Sequence, residues 1–181
     1  MNCPNCKSEM TPMAMEIRKS LLAMQPQLRS TLDIYNCPPC QAFWFDDHDS
    51  LKISEGASRS LLGLIQRKPS DPKSVFKDGL RCPYCPATLH LTHDLQGNTH
   101  FSYWRCEQHG RFIRHFEFLK EKSFIRELTQ KEIDDLRQKI GTIHCANCAA
   151  PIDLGKGTVC AYCGSPVSVL ESGVNVKEQR Q

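Results

Sequence analysis

The chain lacks long apolar runs, a secretory leader pattern and the short motifs of common enzyme classes. Its longest apolar stretches, around residues 20–24 and 60–65, are far shorter than the roughly 20 residues that span a bilayer. Paired cysteines stand at the start of the chain, where a signal peptide has a basic and then an apolar segment. No phosphate-binding loop, dinucleotide fingerprint or nucleophile elbow is present. We therefore expect a cytoplasmic protein that is not an enzyme, with no membrane partner and no evident small-molecule substrate.

A dense stripe of basic residues is also missing. The formal charge of +3 counts every thiol as neutral, and three bound zinc ions with eleven thiolates would bring it to about −2. Residues 67–126 carry a small local excess of Lys and Arg, which gives weak support to a nucleic-acid partner. A solvated linker and ribbon face is the plainer interpretation of that excess.

What the sequence does contain is eleven cysteines in short pairs. Each belongs to a Cys-x-x-Cys or Cys-x-x-His pair, and two such pairs around a hairpin-length insert are typical of a zinc ribbon. An odd number of cysteines fits a complete disulfide framework poorly, whereas His109 completes three sets of four ligands. The predicted ligands are Cys3, Cys6, Cys37 and Cys40 for the first site, Cys82, Cys85, Cys106 and His109 for the second, and Cys145, Cys148, Cys160 and Cys163 for the third.

These pairs predict a small metal-stabilised α+β protein of three tandem zinc ribbons, each a β-hairpin with zinc knuckles, joined by helices. Each ion is structural, and iron stays an alternative to zinc in an all-cysteine site because the ligands permit both. The predicted boundaries are 1–49 for the first ribbon, 50–80 for a helical segment and linker, 81–128 for the second ribbon, 129–141 for a connecting helix, 142–171 for the third ribbon and 172–181 for a flexible tail.

The first two modules read as internal repeats. Residues 35–43 (YNCPPCQAF) and 104–112 (WRCEQHGRF) place an aromatic residue, a cysteine, a second ligand and a phenylalanine at the same positions. His109 therefore stands where Cys40 stands in the first module. This correspondence is independent support for His109 as a ligand.

Local patterns predict the elements around the ligands. Strands are expected over 11–18 and 31–35, flanking an insert at 19–29 that reads as a short helix or an extended hairpin tip. A hairpin with its turn at 96–98 lies between the second pair of knuckles. A helix should run to about Gln66, and its candidate capping residues are Asp46, Asp47, Asp49 and Ser50.

A further helix is predicted before the third module. Thr129 and Glu132 form a capping-box pattern, and apolar residues at helical spacing continue to about Ile140. Gly141 then ends the helix.

Phe43, Trp44 and Phe45 follow the knuckle of the first module directly. A ribbon has too little chain for a large core, so these rings are expected to form a mini-core beside the metal. The alternative is that they stack on nucleic-acid bases.

The first module resembles a known family. The pattern Cys3-x-x-Cys6, then Cys37-Pro-x-Cys40 followed by Trp-Phe-Asp, is similar to the bacterial zinc-finger family named for its likeness to the transcription factor IIB zinc ribbon, over about the first 50 residues. The resemblance implies a zinc ribbon with these four cysteines as ligands. The family usually has glycines where Gln41 and Ala42 stand here, and its insert is shorter. The third module, with Cys-Ala-Tyr-Cys-Gly-Ser-Pro at 160–166, is similar to small C-terminal zinc ribbons of many bacterial proteins.

Thiol chemistry is the competing interpretation of the cysteines. Residues 82–85 (CPYC) match the active-site string of glutaredoxins, but a reactive thiolate of that kind lies at a helix N-terminus in a βαβ unit. Here Pro86 and a hairpin follow instead. The sequence therefore favours non-catalytic binding of nucleic acid or a protein partner. The alternative from another class is a redox- or zinc-responsive switch, in which thiolate oxidation releases metal.

Overall fold

The computed structural model describes residues 1–19, 30–66, 76, 78–97, 99–146, 150–162 and 164–170. This part of the chain is a small α+β structure with an antiparallel sheet and few helices. The insert tip at 20–29, most of the predicted linker at 67–80, Asn98 of the predicted hairpin turn and the predicted tail at 172–181 lie outside the described residues.

The elements confirm the strands predicted in the first two modules. The strands are β1 (Thr11–Glu16), β2 (Thr31–Cys37), β3 (Ala42–Asp46), β4 (His90–Gln96), β5 (Thr99–Cys106), β6 (Gly110–Arg114), β7 (Ile125–Glu127), β8 (Thr142–His144), β9 (Pro151–Asp153) and β10 (Ser168–Leu170). The helices are α1 (Asp49–Lys52), α2 (Glu55–Gln66), α3 (His115–Glu121) and α4 (Gln130–Lys139).

The first six strands form one continuous antiparallel sheet in the order β1-β2-β3-β6-β5-β4. Each of the first two modules contributes three strands, and pairing between β3 and β6 joins the two halves. Trp44 of β3 lies opposite Phe112 of β6. Since these residues hold equivalent places in their own halves, the halves are related by an approximate twofold axis through this pair.

The strand register shifts the repeat by one residue relative to the sequence alignment. Trp44 pairs with Tyr35, and Phe112 pairs with Trp104, so the structural counterpart of Phe112 is Trp44 and not Phe43. The cause is the turn. Residues 38–41 connect β2 to the first pair of β3, whereas residues 107–109 make the corresponding turn in the second module.

The rings of Phe43, Trp44 and Phe45, which follow the pair formed by Cys37 and Cys40, are fully buried, each at 0% exposure. Because successive side chains of a strand point to opposite faces, Phe43 and Phe45 lie on the helix-covered face. There they meet Phe118 of α3 with ring centroids 5.5 and 5.6 Å apart. Trp44 lies on the other face, in the apolar cluster that contains the metal-site cysteines. The mini-core prediction is confirmed, and in this fold these rings are not available to stack on bases.

The helix predicted up to Gln66 is divided into α1 and α2 at Ile53 and Ser54. Ile53 forms a bridge with Ile17 and is buried in the core. The hydroxyl of Ser54 accepts a hydrogen bond from the N–H of Ala57 at 3.1 Å and so caps α2. The predicted caps at 46–50 were wrong, because α1 has His48 as its N-cap, with left-handed backbone and no side-chain hydrogen bond.

The helix predicted before the third module is confirmed as α4. Thr129 and Glu132 form both hydrogen bonds of a capping box, and Gly141 follows with a φ of 72°. The third module then attaches to the rest of the structure through β10, which pairs with β7.

His115 begins α3 and is 5% exposed. Its Nε2–H donates to Oδ1 of Asn36 at 2.9 Å, and its ring lies 4.2 Å from that of Phe43. Burial lowers the pKa of His115 to about 3. An unfolded histidine has a pKa of about 6.5, so the unfolded state takes up the proton first. The contribution of neutral His115 to the free energy of unfolding is fully present above about pH 6.5, and it decreases as the pH falls from 6.5 toward 3.

We expect His115→Gln to flatten this pH dependence. Glutamine keeps an amide donor for Asn36 but does not titrate, so the variant should lose a slope of up to about 1.4 kcal/mol per pH unit below pH 6. Urea unfolding of the zinc-loaded proteins between pH 5 and 7 measures the slope, and the contribution of the metal ligands is common to both proteins. His93→Gln, at an exposed histidine of β4, is the control and should leave the slope unchanged. An unchanged slope in His115→Gln would contradict the assignment.

Candidate metal centres

Four cysteines of the first module converge at one point. Cys3 and Cys6 lie in the turn before β1, Cys37 ends β2, and Cys40 lies in the turn before β3. The Sγ atoms of Cys3 and Cys40 are 3.7 Å apart, and those of Cys6 and Cys37 are 3.5 Å apart. All four sulfur atoms lie within 4.8 Å of one another. The structure therefore brings together the four ligands predicted for the first site.

The second cluster has three cysteines and a histidine. Nδ1 of His109 lies 3.7 Å from Sγ of Cys82 and 3.5 Å from Sγ of Cys106. The Sγ atoms of Cys85 and Cys106 are 3.8 Å apart, and all four ligand atoms again lie within 4.8 Å. His109 thus lies among the cysteines with which the sequence grouped it.

These separations fit a tetrahedral ion. With Zn–S bonds of about 2.3 Å and a Zn–N bond of about 2.0 Å, a tetrahedral site places two sulfur atoms about 3.8 Å apart, and sulfur and nitrogen about 3.6 Å apart. The five separations given above run from 3.5 to 3.8 Å, and the other pairs of ligand atoms lie within 4.8 Å. Each cluster could therefore hold one zinc ion with four protein ligands.

Protonation and hydrogen bonding both bear on metal binding. Burial raises the pKa of the Cys82 thiol to about 11, and hydrogen bonding to the thiols of Cys3 and Cys40 raises the pKa of Cys37. Zinc binding at neutral pH must therefore displace protons. Nδ2 of Asn5 lies 3.4 Å from Sγ of Cys40, and the N–H of Tyr84 lies 3.4 Å from Sγ of Cys82. Such N–H donors stabilise thiolate charge, and spacing of the cysteines alone did not identify them.

One main-chain pattern recurs at four of the cysteine pairs. The N–H of the first cysteine donates to the carbonyl five residues later, and a bridge joins the residues on either side. The hydrogen bonds are Cys3 to Ser8 (2.8 Å), Cys82 to Ala87 (2.9 Å), Cys145 to Ala150 (2.8 Å) and Cys160 to Ser165 (2.8 Å). The bridges are Asn2 with Glu9, Arg81 with Thr88, His144 with Pro151, and Val159 with Pro166. Cys145 and Cys160 of the third module therefore share this hydrogen bond and this bridge with Cys3 and Cys82 of the first two clusters.

The third predicted site is only partly described. Cys145 and Cys160 are buried in one apolar cluster, at 5% and 1% exposure. Cys148 and Cys163 lie outside the described residues. Among the described residues, His109 is the one histidine that lies in a cluster able to hold a metal ion.

Comparisons with known proteins give no relative. No family model, no curated protein and no solved structure matches the chain. In the part of the chain that the structure describes, no helix has the length and apolar composition needed to cross a membrane. The two ligand clusters and the sheet that carries them are therefore the basis for assigning a function.

Proposed function

We propose that this chain is a non-catalytic zinc protein of three ribbons that binds a macromolecule. The proposal rests on the two clusters, in each of which four protein ligand atoms lie within 4.8 Å of one another. A catalytic zinc site has three protein ligands and keeps its fourth position for water or substrate. A fourth protein ligand closes that position, so the ions act on stability and not on chemistry.

The proposal includes a third zinc ion bound by Cys145, Cys148, Cys160 and Cys163. Its support is the main-chain pattern that the turns at Cys145 and Cys160 share with the turns of the first two clusters. The left-handed Gly164, with a φ of 70°, donates to the carbonyl of Cys160 at 2.9 Å, as Lys7, with a φ of 65°, donates to that of Cys3 at 3.1 Å. We also propose that the first module is related to the ribbon family that resembles transcription factor IIB, on its four cysteines and the Trp-Phe-Asp string.

A single-stranded nucleic acid is the first candidate for the partner. Tyr84 and Tyr162 hold the same position in two Cys-x-Tyr-Cys turns and are 46% and 60% exposed. Exposed aromatic rings can stack on unpaired bases, and such stacking contributes about 1–3 kcal/mol per base. The knuckle tyrosines thus take over the role that the buried rings at 43–45 cannot fill.

A protein strand is the second candidate, because β4 lies at one end of the six-stranded sheet. Two of its residues, Leu91 and Leu95, are 52% and 51% exposed. A strand at the end of a sheet can pair with an extended peptide, and exposed apolar side chains on it can contact the side chains of that peptide.

Anisotropy of a labelled single-stranded oligonucleotide tests the first candidate. We expect the zinc-loaded chain to bind it with an affinity that falls as salt rises. Tyr84→Ala and Tyr162→Ala should each weaken binding by about fivefold or more. The double variant Leu91→Ser with Leu95→Ser is the control and should bind as the wild type does. Absence of salt-sensitive binding, or tyrosine variants that bind unchanged, would contradict the nucleic-acid role and leave β4 as the candidate surface.

A further inference from the structure

A cleft opens between the β4–β5 hairpin, α1 and the C-terminal end of α3. Its volume of about 460 Å³ is in the range of small-molecule sites. Residues of both halves of the sheet line it, and its floor is formed by Arg111, Glu121 and Lys122. None of these three belongs to a metal cluster.

The floor holds a buried ionic network. Arg111 donates through Nη2 to Oε2 of Glu121 at 2.5 Å and to the hydroxyl of Ser50. Nζ of Lys122 lies 3.0 Å from Oε1 of Glu121 and donates to the carbonyl of Ser50 at 2.6 Å. The three charged side chains are 15%, 5% and 11% exposed, in the order Arg111, Glu121 and Lys122. Removing such charges from water costs free energy that their mutual attraction does not always offset. A stabilising role alone therefore explains the buried network poorly.

The network has an excess of positive charge. Two cations, Arg111 and Lys122, contact the single buried carboxylate of Glu121. The exposed Arg18, whose Nε donates to the carbonyl of Ile53 at 3.3 Å, lines the same cleft. Burial lowers the pKa of Lys122, and the charges of Arg111 and Arg18 add to this effect against the opposing charge of Glu121. An anion in the cleft would reduce this repulsion.

The other charged groups of the cleft lie at its rim and have partners there. Oδ1 of Asp47 lies 2.7 Å from Nδ1 of His48, and a carboxylate oxygen of Asp94 accepts from the N–H of Leu95 at 2.8 Å. Arg105 lies 3.5 Å from Glu107. Because the partner of Asp94 is an uncharged main-chain N–H, its carboxylate keeps a negative charge in the cleft, and the positive excess belongs to Arg111, Lys122 and Arg18 alone.

Apolar groups line the wall and the mouth of the cleft. Phe101 and Tyr103 are buried, and the Arg111 guanidinium lies over the Tyr103 ring at 4.7 Å from its centroid. Leu51 and Leu95 line the same cleft and are 55% and 51% exposed. The cleft thus combines cations at its base with an apolar mouth.

Two lining residues have a left-handed backbone without being glycine. His48 has a φ of 58° and Ser123 a φ of 55°. Backbone of this kind costs free energy and is concentrated at functional sites. Neither residue belongs to a metal cluster.

We propose that this cleft binds a small organic anion. Its carboxylate or phosphate group would be held by Arg18, Arg111 and Lys122, and its apolar or aromatic body would lie against Leu51 and Leu95. The site shares no residue with the two metal clusters, and it shares Leu95 with the β4 surface proposed above for a protein strand.

Two-dimensional ¹H–¹⁵N NMR of the zinc-loaded full chain tests this site with four probes. Phenyl phosphate and benzoate carry both an anionic group and a ring, whereas phenol has only the ring and inorganic phosphate only the charge. We expect saturable shifts at cleft residues with at least one of the first two probes, and about tenfold weaker binding of phenol and of inorganic phosphate. Comparison of phenyl phosphate with benzoate identifies the preferred anionic group. No saturable shift with either, or equal binding of phenol, would overturn the proposal.

A matched pair of variants locates the binding. Arg18→Gln removes an exposed cation of the cleft and should weaken binding of the better probe by about tenfold. Arg59→Gln makes the same charge change on α2, where Arg59 pairs with Glu55 at 2.5 Å outside the cleft, and should leave binding unchanged. Equal affinities in the two variants would place the anion elsewhere and overturn the site.

Discussion

Removal of zinc is expected to unfold the six-stranded sheet. Five of the seven cysteines of the two clusters are part of the apolar cluster on one face of that sheet, together with Trp44 and Phe112; they are Cys3, Cys37, Cys40, Cys82 and Cys106. Structural zinc contributes about 10–16 kcal/mol of apparent binding free energy in zinc-finger peptides, whereas the net stability of a domain is about 5–15 kcal/mol. Chelation should therefore abolish near-ultraviolet circular dichroism and the cooperative thermal transition. Native mass spectrometry before chelation should show one zinc for each set of four ligands.

Two cysteine variants separate the sheet from the third module. Cys37→Ser removes a ligand at the end of β2, and loss of the sheet signal is expected because β3 joins the two halves. Cys160→Ser is the matched control in the third module. It should lose only the zinc ion proposed for the third module and keep the near-ultraviolet circular dichroism and the thermal transition of the six-stranded sheet. A folded sheet after complete chelation, or a sheet signal that survives in Cys37→Ser, would contradict the structural role of the metal.

Gly110→Ala is expected to be the most damaging substitution of a residue that is not a ligand. Gly110 has a φ of 132°, and a β-carbon there would lie 2.1 Å from the carbonyl oxygen of Phe45 and 2.8 Å from Cα of Asp46. Both obstacles are backbone of β3, which pairs with β2 on its other side and cannot retreat. Backbone strain of about 1–3 kcal/mol adds to overpacking of about 1–3 kcal/mol, so a loss of about 2–6 kcal/mol is expected.

The control for this substitution is Gly63→Ala. Gly63 lies within α2, and a β-carbon there meets nothing within 4 Å. Alanine at this position should stabilise the chain by about 0.5–1 kcal/mol. Urea unfolding at saturating zinc measures both variants. If Gly110→Ala unfolds at the same urea concentration as the wild type, Gly110 does not pack as closely against the backbone of β3 as described above.

The ligand sets were accessible to sequence reasoning because ligand spacing is local. The spacing of a pair such as Cys82 and Cys85 indicates a metal site from only four residues. The structure brings the pairs together in the two clusters that this spacing predicts. The helix after Thr129 was accessible for the same reason, since the capping box lies within one turn.

The joining of the first two modules was not accessible in the same way. Pairing of β3 with β6 is a contact between residues about 70 positions apart, and no local pattern specifies the partner of a strand. One signal was available. Residues 42–45 (AFWF) are apolar without alternation, as in a strand that is covered on both faces.

The divided helix and the ionic cleft have different physical causes. The helix is divided at Ile53, where a bridge to Ile17 and core burial outweigh helix propensity. The network of Ser50, Arg111 and Glu121 joins α1, β6 and α3, which are distant in the sequence.

The pairing of β3 with β6 also limits misassembly. Two separate three-stranded sheets would have four outer strands with unpaired main-chain groups, whereas the joined sheet has two, β1 and β4. The two strands that are no longer at an edge carry apolar residues that are fully buried, Phe43 to Phe45 and Phe112 to Ile113. Under the proposed zinc binding, metal release that separates β3 from β6 would expose short apolar strands able to pair between chains, and aggregation is expected to rise as zinc is lost.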